Sequence, residues 1–216
     1  MNVAVICETS GKVREAFRSR GHNAVSVDVL PADDGSPYHV RADALAYLAE
    51  RRTQNAERID LVIAHPPCTY LANSGVQWLT NVPQNPNPNI LYGPARVAAL
   101  HEAAEFFLAI WRCRAKAVAI ENPIMHDKAM ALIGMEPTQI IQPFMFGHRE
   151  SKATCLWLRG LRALEPTNYL PPPYEQRIWK EGPSADRRKI RSETYQGIAD
   201  AMAEQWGAET RPDLLF

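Results

Sequence analysis

The sequence predicts an α/β fold: a mostly parallel central sheet with helices on both faces and an antiparallel pair at one edge. Three observations carry this. Short apolar runs rich in Val and Ile alternate with helical patterns, the order that builds a parallel sheet. Two of those runs stop abruptly in proline-containing turns. After Gly134 the pattern changes to two shorter runs, Gln139 to Phe146 and Thr154 to Leu158, which read as a hairpin added to the sheet.

The chain has 216 residues with no linker rich in Ser, Gly or Gln, so a single domain over 1–216 is expected. Basic and acidic residues balance at 24 each, so nucleic-acid binding would have to rest on a local patch. Cysteines 7, 68, 113 and 155 show neither metal-pair spacing nor the density of a disulfide scaffold. They read as reduced thiols of a cytosol, with no metal. No charged-then-apolar leader is present and no apolar run approaches the ~20 residues a bilayer needs, so a cytoplasmic protein without a membrane partner is expected.

The first strand is Val3 to Cys7, followed by the turn Glu8-Thr9-Ser10-Gly11 and a helix from Val13 to Arg18 that Gly21 stops. Strand, small-residue turn and helix make a nucleotide-site opening, although the turn holds less glycine than a dinucleotide fingerprint. A second strand, Ala24 to Val29, carries Asp28 at its carboxyl tip. There it either takes ribose hydroxyls or is a surface residue before a turn. Residues 31 to 42 read as a Pro, Asp and Gly-rich connection, and Asp43 as the N-cap of a helix from Ala44 to Glu50.

Asp60 to Ala64 is the central strand, and His65-Pro66-Pro67-Cys68 ends it. The prolines fix two backbone dihedrals, so the thiol leaves the sheet edge at a set angle, as a nucleophile would; a buried structural cysteine is the other reading. Thr69 to Pro94 is dense in Pro and Asn, and its place after a candidate nucleophile favours a mobile cover over 69–94. Residues 95 to 112 read as an amphipathic helix burying Val97, Leu100, Ala104, Phe107, Leu108 and Trp111, with Arg96, His101, Glu102 and Glu105 between them. Lys116 to Ile120 is another strand, ending in Glu121-Asn122-Pro123. If the sheet is parallel, the Pro-Pro-Cys and Glu-Asn-Pro tips share the edge where ligands bind. Arg187 to Arg191 is either a phosphate-binding cluster or a solvated charge run. Ser192-Glu193-Thr194 caps a last helix that buries Ile198, Ala201, Met202 and Trp206.

Methylating carbon 5 of a pyrimidine requires a thiolate to add at carbon 6, because the aromatic ring is otherwise a poor nucleophile at carbon 5. A carboxyl group at ring nitrogen 3 and the exocyclic amine offsets the charge that develops. Cys68 and Glu121 supply that pair. At these residues the chain resembles a small, phage-type DNA (cytosine-5) methyltransferase. Pro67-Cys68 matches the family's Pro-Cys motif, and Glu121-Asn122-Pro123 its Glu-Asn-Val motif with proline for valine.

The resemblance implies a Rossmann-like class I methyltransferase fold, S-adenosyl-L-methionine as cofactor, and DNA with a flipped-out cytosine as partner, in a host cytoplasm if phage-encoded. It implies cofactor contacts from Cys7, Glu8, Thr9, Ser10, Gly11, Asp28, Val29, Asp43, Pro66 and Thr194. Base and DNA contacts fall on Pro67, Asn122, Pro123, Arg188 and Arg191. The family's Gln-x-Arg-x-Arg signature becomes Glu150-x-Lys152-x-Thr154, so Arg149 or Lys152 has to stand in for the second arginine. The short insert at 165–191 replaces a much longer target-recognition domain, which implies short or loose sequence preference.

Two other readings share the fold. One is an exocyclic-amine methyltransferase, whose Pro-Pro motif is half present, although His65 and Cys68 are both wrong for its flanks. The other is a catalytically inactive protein that binds S-adenosylmethionine or DNA.

Overall fold

The computed structural model describes residues 1–51, 58–175 and 193–209. A seven-stranded sheet forms its centre: β1 (Asn2–Ile6), β2 (Asn23–Asp28), β3 (His39–Arg41), β4 (Leu61–Ala64), β5 (Ala117–Pro123), β6 (Gln139–Ile141) and β7 (Thr154–Arg159). The spatial order is β3-β2-β1-β4-β5-β7-β6. Strands β1 to β5 run parallel, and β7 enters antiparallel between β5 and β6. The fold class expected from the alternating pattern is the one observed.

Helices α1 (Lys12–Arg18), α2 (Ala44–Glu50), α3 (Gly93–Trp111), α4 (Asp127–Ile133) and α5 (Gln196–Glu209) cover the sheet. Because strand side chains alternate, each strand feeds two cores. Ala4, Ile6, Val62, Ala64, Val118 and Ile120 pack with Leu48, Phe107, Ile110 and Ile133 from α2, α3 and α4. Val3, Val5, Leu61, Ile63, Ala117 and Ala119 pack on the other face with Phe17, Met202 and Trp206 from α1 and α5. None of the described helices is long and apolar enough to cross a membrane.

Three local expectations are corrected. The connection at 31–42 contains β3, a three-residue strand whose polar sequence hides it; His39 is held to Ser26 Oγ by its ring nitrogen at 2.9 Å. On α3 the roles of two neighbours are exchanged, with Arg96 buried and Val97 exposed. Arg96 is drawn in by carbonyls, donating to Thr69 O at 2.9 Å and Leu91 O at 3.3 Å. The Pro and Asn-rich stretch is also not structureless at its start, since Asn73–Leu79 forms a 3-10 helix with Leu79 buried.

The last helix buries its expected face. Trp206 is fully buried and its indole donates to Arg162 O at 3.2 Å. Replacing it empties a large volume against α1. Trp206→Ala is expected to destabilise the protein by about 3–5 kcal/mol, read from the shift of the urea unfolding midpoint at unchanged slope.

Candidate active site

The carboxyl edge of the parallel strands collects the polar residues that the apolar runs release. At the tip of β1, Cys7 adopts a left-handed conformation, φ 60°, which is unusual for a residue with a side chain. It is held there by its amide, which donates to Val27 O at 2.8 Å. The turn that follows is built on Gly11, φ 72°, where an added Cβ would collide with the Arg14 guanidinium. Gly11 offers α1 no side-chain cap. Buried Glu8 takes over, accepting from Val13 N at 2.8 Å and Arg14 N at 3.3 Å. Burial pushes the Glu8 carboxyl above its ordinary pKa against the pull of His65 and those two amides.

The turn is also tied to the loop after β2. Thr9 Oγ1 donates to Asp33 Oδ2 at 3.0 Å, and Arg14 pairs with Asp34. Asp28 and Asp43 lie close enough to act on the Cys7 thiol. Burial, then the charges of Asp28 and Asp43, push that thiol up to about 12, so it stays protonated. Each carboxylate uses one oxygen at home: Asp28 Oδ1 accepts from Leu30 N and Asp43 Oδ1 caps α2 through Ala46 N, both at 2.9 Å. Their second oxygens have no hydrogen bond among the described residues. Two acceptors beside a tight turn suit the hydroxyls and adenine edge of an adenosyl cofactor. Val29 next to them is 60% exposed. Thr194 is buried, and its neighbour Glu193 pairs with Lys12 at 2.9 Å, which brings the entry to α5 to the start of α1.

The second group stands on β4 and β5. Register pairs Ala64 with Ile120, so the next residues, His65 and Glu121, come out level with one another. The His65 Nδ1 and Glu121 Oε2 atoms are 2.8 Å apart, with the two side chains only 7% and 13% exposed. Asn122 Nδ2 donates to Pro66 O at 2.9 Å and ties the tips a second time. Beyond them, Cys68 O accepts from Leu71 N and Ala72 N, while His126 N donates to Leu71 O and its ring contacts Tyr70 O at 3.0 Å. The loop carrying Cys68 is therefore laced to the loop after Glu-Asn-Pro. Cys68 itself is half-buried and Pro67 exposed.

Burial disfavours a charged His65, but the hydrogen bond and charge of Glu121, with Glu8 behind them, raise its pKa despite Lys152. Burial likewise works against an ionised Glu121, yet His65 and Lys152 hold its carboxyl below the usual value. Lys152 reaches this group because β7 runs antiparallel and starts where β5 ends, with Thr154 opposite Pro123. Its ammonium also lies 5.8 Å from the Tyr195 ring centroid. Among the described residues, Nε2 of His65 and Oδ1 of Asn122 are buried without a partner. Folded proteins leave few buried polar atoms without a partner.

The edge thus gathers Cys7, Glu8, Asp28 and Asp43 at one end, and Pro66, Cys68, Glu121, Asn122 and Lys152 at the other. Arg149 turns away, donating to Pro171 O at 3.2 Å. Arg188 and Arg191 lie outside the described residues. The residue that the sequence reading passed over is His65, weighed only as a misfit in an amine-binding motif. Its signal was positional: in adjacent parallel strands, the first polar residue after each apolar run meets its counterpart.

No known family model matches the chain, and no curated protein does. Among solved structures it is similar to an E. coli prophage protein assigned as a DNA modification methyltransferase. The TM-score is 0.50 at 14% identity, over 79% of this chain and 52% of that one, so the chain spans about half of that protein's length. With the strand order β3-β2-β1-β4-β5-β7-β6 and its antiparallel β7, the likeness shows a Rossmann-like fold shared with that protein.

Proposed function

We propose that this protein is an S-adenosylmethionine-dependent methyltransferase that modifies carbon 5 of cytosine in DNA through a covalent adduct with Cys68. The observation that carries the reading is the shared edge of β4 and β5, where a cysteine on a proline-fixed turn and a largely buried carboxyl emerge from neighbouring parallel strands. The assignment of the structural neighbour to DNA modification agrees with it.

When bound, the cofactor supplies a sulfonium methyl group. Cys7 to Gly11, Asp28, Val29 and Asp43 would hold its adenosyl portion, and Pro66 and Thr194 would border it. The residues of this chain do the rest. Cys68 adds its sulfur to carbon 6, and Glu121 binds the amino and ring-nitrogen edge that gains charge. Asn122, by holding Pro66 O, keeps the two tips in register. Pro67 and Pro123 would flank the base. Lys152 lends positive charge to the same end, where it acts on the Glu121 carboxyl. The base must leave its stack to reach this edge. The insert at 165–191 is short by residue count for a set of groove contacts, and on that ground a short recognition sequence is proposed. The stretch at 69–94 is proposed to close over the base, pivoting beyond the laced residues 69–72.

Wild-type protein, cofactor and an oligonucleotide containing 5-fluorocytosine are expected to give a denaturation-resistant adduct on a gel, absent in Cys68→Ala. Transfer to an oligonucleotide without an adduct would instead indicate the exocyclic-amine reaction. Binding without transfer to any DNA would indicate an inactive binding protein. Cys68→Ala should still bind S-adenosylmethionine by calorimetry. Asp28→Asn removes a charge-assisted acceptor and is expected to weaken that binding about tenfold or more, with folding unchanged by circular dichroism.

A further inference from the structure

His65 is tied to the carboxyl group assigned to the base, yet nothing in the reading above uses it. Its imidazole is buried, its Nδ1 is 2.8 Å from Glu121 Oε2, and its Nε2 has no partner among the described residues. Among the described residues, the hydrogen bond of this ring runs to Glu121. The charged groups acting on the ring come from three elements: Glu8 after β1, Glu121 on β5 and Lys152 before β7. The two carboxylates favour the imidazolium and Lys152 opposes it. The balance raises its pKa, so the ring is charged at pH values where a solvent-exposed histidine is becoming neutral.

An ionised Glu121 poses a chemical problem for cytosine. Ring nitrogen 3 is an acceptor, and a carboxylate has no hydrogen to give it. When the Cys68 thiolate forms its bond to carbon 6, the electron pair of the C5–C6 double bond moves through the ring and leaves nitrogen 3 anionic. A proton is then needed at that atom.

We propose that His65 is a positioning residue that stores this proton and delivers it to ring nitrogen 3 through Glu121, an inference that rests on the Cys68 reading above. The proton leaves Nδ1 for Oε2, and the carboxyl turns about its Cγ–Cδ bond to present it to nitrogen 3. The pair ends as neutral imidazole and carboxylate, and the adduct as a neutral enamine whose carbon 5 can attack a methyl group. When carbon 5 then gives its hydrogen to solvent as a proton and the thiolate is expelled, nitrogen 3 returns its proton to the pair. The chemistry selects a pyrimidine whose nitrogen 3 lacks hydrogen, so cytosine is preferred to uracil.

The test compares wild-type protein with His65→Gln on cytosine oligonucleotides across pH. Wild-type kcat is expected to fall about tenfold per pH unit above the raised His65 midpoint. His65→Gln is expected to lose about 10²-fold or more in kcat, to lose that alkaline limb, and to keep its KM for S-adenosylmethionine. A limb that survives in His65→Gln, with kcat near wild type, overturns the relay alone. A wild type that traps no 5-fluorocytosine oligonucleotide overturns the Cys68 reading and the relay with it. Should His65→Gln fail to fold, imidazole carbon-13 shifts decide: the His65 midpoint is expected to drop in Glu121→Gln, and an unmoved midpoint refutes the coupling.

Discussion

The register between β4 and β5 is the constraint on which the site depends. Because Ala64 lies opposite Ile120, the polar residues that follow meet at one level, and two hydrogen bonds, His65 to Glu121 and Asn122 to Pro66, close the gap between the tips. A one-residue slip in one direction would draw Glu121 down to the level of buried Ile120, and in the other would lift Ile120 to the tip. The apolar residues below the tips forbid that slip, since Ile63, Ala119, Val62 and Val118 are all fully or almost fully buried. Packing in the middle of the sheet thus sets side-chain geometry at its end.

Electrostatics explains why so many ionisable groups can share a partly dry edge. A lone buried carboxylate would be neutralised by its desolvation. Here Glu121 has His65 and Lys152, Glu8 has two backbone amides and the His65 charge, and buried Arg14 is bound by Ser26, Glu15 and Asp34. Such pairs contribute little net stability, because the Coulomb gain mostly offsets the lost hydration. What they supply is a fixed charge pattern: carboxylates acting on Cys7, and an ion pair between His65 and Glu121 at the tips of β4 and β5. The left-handed Cys7 and the crowded Gly11 make the turn after β1 a place where the backbone departs from its ordinary conformations.

Much of the fold could be read from the chain alone. The strands at Val3, Ala24, Leu61 and Ala117 are runs of β-branched and small residues long enough to overcome local ambiguity, and the last helix shows its buried face in plain periodicity. What failed to show was governed by partners distant in sequence. Strand β3 is held by pairing with β2, not by an apolar pattern. Arg96 is buried because Thr69 O and Leu91 O accept its protons, and the displaced Val97 faces outward as a result.

By itself, then, the sequence determined the order of elements, the proline-stopped tips and the residue types those tips carry, because these follow from local sterics and periodicity. Only the tertiary structure decided that His65 belongs to Glu121, that Lys152 joins them from the segment leading into the antiparallel β7 and that Arg149 turns toward Pro171. Those choices come from strand register and chain direction across the sheet, which bring together residues with dozens of positions between them, and no local pattern records such distances.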